Sequence, residues 1–376
     1  MHYSVLTAIS LPETVAIPSA DYKQIKFDLL AARAMLKKRP DSYACQMAVA
    51  ELENSLNPLE YVAENLVFEA MDPYGVNTDN PKYLVFSPHE ENEDSAYETE
   101  TRDCVRLPDG KIVFGYDARF SKRYEIFEGK VYQKRFGPLR HRKRTKKAKK
   151  FLPLPAYPLK KLYPTIGAYM EQYLGCTYNE EERAYGYYEN PDAFWDWYEL
   201  GGRWYEYFLV KEDCSSAVRG AQARACGSTK IAPEGYCWVA GARKRDIAWD
   251  KMKESFVEEV SQTLQEFQNW CLAGEVPEEW RGFAFVTLDG VYFHRRLVYR
   301  VGETVEENLR RNHQLMDSRY FVNPYAFTSG DGWTDCDSFD AGSQGESGDM
   351  QWNRKVQEFI DGLPEDAMLV SVDCHN

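Results

Sequence analysis

The chain has 376 residues, a formal charge of −13 and 44% hydrophobic residues, including 26 Tyr, 19 Phe and 9 Trp. That is enough apolar and aromatic material for one large core or two domains, and it argues against disorder. The acidic balance argues against nucleic-acid binding over the whole surface while permitting a local basic patch.

Residues 2–11 alternate as a strand, with Tyr3, Val5, Thr7 and Ile9 on one face and Leu6 and Ala8 on the other. Ser19 or Asp21 caps a predicted helix running to Lys38, with Ile25, Leu29, Ala32 and Leu36 as its stripe. A second helix follows Asp41-Ser42, with Met47, Ala50 and Leu56 inward. Asn57-Pro58 starts a third, with proline in the first turn and Leu59, Val62, Leu66 and Ala70 along one side. Strands are expected at 82–86, 112–116 and 124–136, with turns at Pro108-Asp109-Gly110 and Glu128-Gly129. The acidic run Glu90-Glu91-Asn92-Glu93-Asp94 reads as a solvated loop.

Eight of the eleven residues from Arg140 to Lys150 are Lys or Arg. Such a block can neutralise DNA or RNA phosphates. No aromatic residues interleave it as a stacking platform, so a solvated loop is preferred to a nucleic-acid partner. Phe151-Leu152-Pro153-Leu154-Pro155 then reads as an extended linker. It divides the chain into an N-terminal part, 1–150, and a C-terminal part, 151–376, unless the two form one integrated domain.

Residues 166–174 read as a short helix leading to an unusual stretch, 190–204. Asn190-Pro191 is a turn signal, and Gly201-Gly202 offers positive φ or close backbone approach. Between and after these lie Trp195, Asp196, Trp197, Arg203 and Trp204. One reading is a Trp-rich core turn in which Asp196 pairs with Arg203. The other is a site where Arg203, at the mouth of a strand over 203–210, presents its planar fork to a phosphate or carboxylate.

Residues 214–233 read as a loop and 236–239 as a strand. Asp246 is placed as the cap of a long helix to Ala273, with the stripe Met252, Phe256, Val260, Leu264, Phe267 and Cys271. Arg243, Lys244 and Arg245 precede it, and cations beside a helix N-terminus make an anion site unless they are merely solvated. Strands at 283–287 and 291–296 flank the turn Leu288-Asp289-Gly290. Residues 328–349, rich in Ser, Gly and Asp, read as a lid or a disordered loop. A last helix, 350–360, turns Val356, Phe359 and Ile360 inward, and a last strand, 368–373, ends in Asp373-Cys374-His375-Asn376.

The pattern Asn190-Pro191, Trp195-Asp196-Trp197-Tyr198, Gly201-Gly202-Arg203-Trp204 resembles an uncharacterised family of bacteriophage and prophage proteins. Two further segments carry the resemblance: Ala242-Arg243-Lys244-Arg245-Asp246-Ile247-Ala248-Trp249, and the C-terminal Leu363-Pro364-Glu365-Asp366 with Leu369-Val370-Ser371-Val372-Asp373-Cys374-His375. It covers the second half of the chain well and the N-terminal strand loosely. The chain departs from the pattern at Ala248, where an acidic residue is expected, and in its basic insertion before Asn190. The resemblance implies a phage-related origin and no established activity.

The expected fold is α+β, a mixed or antiparallel sheet with helices packed on one face, in a ferredoxin-like duplication, with first and last strands side by side. Alternation puts Asp373 and His375 on one strand face, where they could hold a metal or make a base pair of carboxylate and imidazole. No phosphate-loop, nucleophile-elbow, zinc-protease or dinucleotide motif is present. Three functions stay open. In the preferred one, Arg203, Arg243 and Arg245 clamp an anionic nucleotide-type ligand, such as a host defence signal to be sequestered. Trp195, Trp197 and Trp204 wall it, with Asp196, Gly201 and Gly202 in the same pocket. The second is a metal-assisted phosphohydrolase or nuclease using Asp196, Asp246, Asp373 and His375. The third is an inhibitor that binds a host defence protein. The residues do not decide between binding and catalysis, nor name a cofactor, metal or oligomeric state. No apolar run spans a membrane, residues 1–6 do not begin a signal peptide, and nine scattered cysteines read as reduced thiols, so a cytoplasmic location is expected.

Overall fold

A computed structural model describes residues 1–89, 97–98, 101–106, 112–114, 124–127, 130–133, 156–273, 291–293, 298–300, 302–311, 316–330, 332–339 and 348–376. The chain forms two compact units, Met1–Asn80 with Asp192–Asn376, and Pro81–Pro191. The division therefore falls at neither side of residue 150: the second unit is an insertion, and the ends of the chain belong together.

In the first unit the strands, in chain order, are β1 (His2–Ile9), β2 (Trp197–Leu200), β3 (Phe208–Lys211), β4 (Tyr236–Val239), β5 (Gly241–Arg243), β6 (Ala326–Thr328), β7 (Trp333–Asp335) and β8 (Met368–His375). The helices are α1 (Ser19–Lys38), α2 (Tyr43–Asn54), α3 (Pro58–Met71), α4 (Gly220–Cys226), α5 (Trp249–Ala273), α6 (Val305–Arg311) and α7 (Gly348–Gly362). The main sheet runs β2-β8-β1-β6-β7, with β5 also on β8; β1 is parallel to β6, and its pairing with β8 is antiparallel. The fold is α+β with a mixed sheet, and the first and last strands do lie side by side.

Alternation along β1 and β8 decides what each sheet face meets. Val5, Ile9, Met368, Val370, Val372 and Cys374 pack with Ala63, Val67, Ala70 and Met71 of α3. Leu6, Ala8 and Leu369 pack on the other side with Trp249 and Met252 of α5 and Trp352, Val356 and Ile360 of α7. Helices thus cover both faces, not one, because β1 and β8 are apolar on both sides. No ferredoxin-like duplication is seen among the described residues.

Local chemistry explains the helix starts. Ser42 accepts from Cys45 N at the head of α2, and Asn57 accepts from Leu59 N before Pro58 of α3. α1 follows Pro18 with no side-chain cap; Asp21 instead accepts from Tyr61 Oη at 2.6 Å. The buried stripe of α3 is Glu60, Ala63, Val67, Ala70 and Met71, one position on from Leu59, Val62 and Leu66. α5 starts at Trp249, so Asp246 does not cap it; Asp246 ends a short 3₁₀ turn, Lys244–Asp246. Met252, Val260, Leu264 and Phe267 are buried as expected, and the Cys271 side chain lies outside the described residues.

Three loop or strand expectations change. Residues 203–207 are not a strand: Gly202–Trp204 is a 3₁₀ turn and β3 begins only at Phe208. Part of 214–233 is α4. Trp333–Asp335, inside the expected loop 328–349, pairs with β6 as a sheet strand.

The second unit holds small antiparallel pairings. Ala184–Glu189 lies between Val85–Pro88 and Thr177–Asn179, Thr101–Arg106 pairs with Ile112–Phe114 and Ala156–Pro158, and Tyr124–Phe127 pairs with Lys130–Gln133. Leu159, Leu162, Tyr163, Tyr169 and Met170 form its core with Tyr97. The first unit has one further pairing, Val291–Phe293 with Val298–Arg300, apart from its main sheet. The acidic run 90–94, the turns at 108–110 and 128–129, the basic run 140–150, the segment 151–155, the strand and turn at 283–290 and the stretch 340–347 lie outside the described residues.

Candidate functional site

The sheet face that carries Leu6, Ala8 and Leu369 in the core becomes polar toward one end. Strand pairing sets Trp197, His375 and His2 in one row across β2, β8 and β1, and Glu199, Asp373 and Ser4 in the next. Neighbours in a row, and diagonal neighbours, are within side-chain reach.

Two histidine–aspartate pairs result. His2 Nδ1 lies 2.9 Å from Asp373 Oδ1, and His375 Nδ1 lies 2.8 Å from Asp196 Oδ1. An ionised carboxylate only accepts, so Nδ1 donates in both pairs and Nε2 is the nitrogen left over. Neither Nε2 has a hydrogen-bond partner among the described residues. The two imidazole centroids are 4.9 Å apart at an interplanar angle of 66°, and His2 meets Trp197 edge-on at 6.0 Å.

Residues 195–204 build this end of the sheet. Trp195 anchors it: the indole is buried, donates to Met71 O at 3.1 Å and covers Gly75. Asp196 N then donates to His375 O, which brings its carboxylate to the His375 ring. After β2, Gly201 and Gly202 turn the chain at φ of 72° and 45°. A Cβ on Gly202 would lie 2.4 Å from Asp373 Cβ, so only glycine lets the turn pass so close. That approach lets Arg203 N donate to Asp373 Oδ2 at 3.1 Å, with Arg203 Nε 3.9 Å from the same oxygen.

Asp373 is 3% exposed and Arg203 62%, so solvent meets the guanidinium and the imidazoles in front of a buried carboxylate. The hydrogen bond from His375, followed by lesser charge effects, holds the Asp196 carboxyl below its ordinary range. Burial first, then Glu51, Asp373 and Glu64, pushes the Glu199 carboxyl up, and its buried Oε1 has no hydrogen-bond partner among the described residues. Burial and the Asp373 charge push the Cys374 thiol far up, and alternation puts it on the opposite face from His375, so it is no nucleophile for that imidazole.

The structure therefore brings together Asp196, Trp197, Gly201, Gly202, Arg203, Asp373 and His375. Asp196 pairs with His375 rather than Arg203. Trp195 is a core residue and does not wall a pocket, while half-buried Trp204 uses its carbonyl to accept from Ser371 Oγ at 2.8 Å.

Arg243 and Arg245 do not join Arg203. Arg243 pairs with Met368, five residues or about 17 Å along β8 from Asp373 at 3.3–3.4 Å per residue, and on the other face. Lys244 is buried, and its Nζ donates to Asp361 O and to Leu363 O at 2.8 Å, capping the C-terminal end of α7. Arg245 N donates to Glu365 O. Asp246 accepts from Ser216 Oγ at 2.6 Å and lies 4.0 Å from Arg245 Nε. Lys244 thus braces α7, while Arg243 Nε is buried without a hydrogen-bond partner among the described residues.

Among the described residues, no group of three or more His, Cys, Asp and Glu is arranged to hold a metal ion. His2 is the residue that sequence reasoning missed. Its signal was available: antiparallel pairing of the first strand with the last puts residue 2 opposite the chain's far end. No helix among the described residues is long and apolar enough to cross a membrane. No family profile, curated protein or solved structure matches the chain significantly.

Proposed function

We propose that this end of the sheet binds an anionic, nucleotide-type ligand. The observation that carries the proposal is the row Trp197, His375, His2, with Arg203 beside it on Asp373. A guanidinium fork donates to phosphate oxygens, and an imidazole that carries both protons donates from Nε2. Trp197, 47% exposed, offers an indole for a base to lie against. Asp373 and Asp196 hold the rings by Nδ1 and leave Nε2 for the ligand. With the resemblance to bacteriophage and prophage proteins, the proposal extends to sequestration of a nucleotide-derived defence signal in the host cytoplasm.

Native mass spectrometry of the chain purified at low salt tests the reading. A retained nucleotide-sized mass that is lost in Arg203→Ala is the expected result. A bare mass that also takes up no added mononucleotide contradicts it.

A further inference from the structure

The same end of the sheet carries more than a binding surface needs. A phosphate clamp requires cations, yet here each imidazole is fixed through Nδ1 by its own carboxylate, on Asp373 and on Asp196, and the two rings are 4.9 Å apart. A carboxylate on Nδ1 orients an imidazole and fixes which nitrogen exchanges a proton. One such pair orients one base. Two pairs on adjacent strands orient a base and an acid across a single reacting group.

We infer that His2 and His375 form an acid–base pair that cleaves ribonucleotide phosphodiesters, an inference that rests on the anionic-ligand reading of the same site. The reaction needs one ring without a proton at Nε2 and one with it, an exchange that imidazole side chains make in general acid–base catalysis. The neutral ring takes the proton of the substrate's 2′-hydroxyl at Nε2. O2′ bonds to phosphorus, the bond from phosphorus to O5′ breaks, and the protonated ring gives its Nε2 proton to O5′. The products are a 2′,3′-cyclic phosphate and a free 5′-hydroxyl; no water, metal or redox partner enters. The tethered nucleophile matters, because an attached hydroxyl replaces an activated water at a large gain in effective concentration. Arg203, whose guanidinium is 62% exposed, faces the charge that builds on the non-bridging oxygens. Asp373 and Asp196 act as positioning residues through the rings.

The charged and titratable groups around the pair define its pH response. His2 faces His375 and Asp373, the carboxylate on which Arg203 also lies; His375 faces Asp196 and His2, and the Met1 amino group and Tyr3 also lie near Asp196. Glu199 flanks Asp373. A rate needing one protonated and one neutral ring falls on both sides of an optimum.

The test uses the full chain in EDTA with the complete set of ribodinucleoside monophosphates. Products are identified by liquid chromatography and mass spectrometry, and AMP binding is measured in parallel by calorimetry. The expected result is a 2′,3′-cyclic phosphate product, no cleavage of the deoxy counterparts, and a bell-shaped pH–rate profile. His375→Ala, at a half-buried position, lowers the rate about 100-fold or more. His2→Gln does the same, and Asp196→Asn lowers kcat and shifts a limb of the profile with KM little changed. AMP binding without cleavage overturns the inference and leaves the binding reading standing. Cleavage that is equal in the histidine variants, or that needs a divalent metal, also overturns it. Absence of both AMP binding and cleavage removes the two readings together.

Discussion

His2 Nδ1 and Asp373 Oδ1 are 2.9 Å apart although 371 residues separate them in the chain. The link is a consequence of register: β1 and β8 pair over their full lengths, from His2 with His375 to Ile9 with Met368. Asp373 also accepts from Arg203 N, so one buried carboxylate ties three strand ends together. Replacing it with alanine leaves two donors without their charged acceptor. Asp373→Ala is expected to lower stability by about 2–3 kcal/mol and Asp373→Asn by less, measured by chemical denaturation.

Gly202 is the second support of the same corner. Gly202→Ala brings a Cβ into Asp373 and strains a backbone at φ 45°, so a loss of about 2 kcal/mol or more is expected, with weakened ligand binding. Gly175→Ala is the control: φ is 79° and ψ 15°, a left-handed residue with nothing within 4 Å of the added carbon among the described residues, so only the conformational cost of about 1–2 kcal/mol applies. Equal losses in the two variants would show that the close approach to Asp373 carries no energy.

The two tryptophans around Asp196 separate folding from binding. Trp195→Ala empties a core position and removes the bond to Met71 O, with an expected cost of about 3–5 kcal/mol. Trp197 is 47% exposed, and Trp197→Ala is expected to change stability by about 0.5 kcal/mol while weakening nucleotide binding. Thermal melts and titrations on both variants check this; unchanged binding in Trp197→Ala would remove the indole from the site.

Acidity acts on Asp196 and Glu199 in opposite directions. The His375 hydrogen bond depresses the Asp196 carboxyl, so its contribution to stability is present above the unfolded value of about 4 and is lost as pH falls through the lower folded value. Burial raises the Glu199 carboxyl, so its contribution is full below the unfolded value of about 4 and is lost as pH rises through the higher folded value. Glu199→Gln is therefore expected to raise Tm at neutral pH and flatten the slope above pH 4, while Asp196→Asn flattens it only below. Melting curves across pH for the three proteins decide the point.

Much of the frame was legible because it rests on period and on glycine. Alternation in residues 2–11 and 368–373 gave two strands apolar on both faces, and such strands belong beside each other. Gly201-Gly202 marked a turn that no other residue could make. The site itself was less legible. Asp196 and Arg203, seven positions apart, looked like a local pair, but sheet register supplies His375 and Asp373 instead. Residues 203–207 carried strand composition because Tyr205 and Glu206 are buried, not because the backbone is extended. Lys244 read as either part of an anion site or a solvated cation, and only the position of α7 makes it a cap.

The most direct measurement is a calorimetric titration of the wild-type chain, Arg203→Ala and His375→Ala with AMP at low and high salt. The account predicts one saturable site in the wild type, weakened by salt and at least tenfold weaker in each variant. Saturable binding unchanged in both variants, or no binding in the wild type, would contradict it.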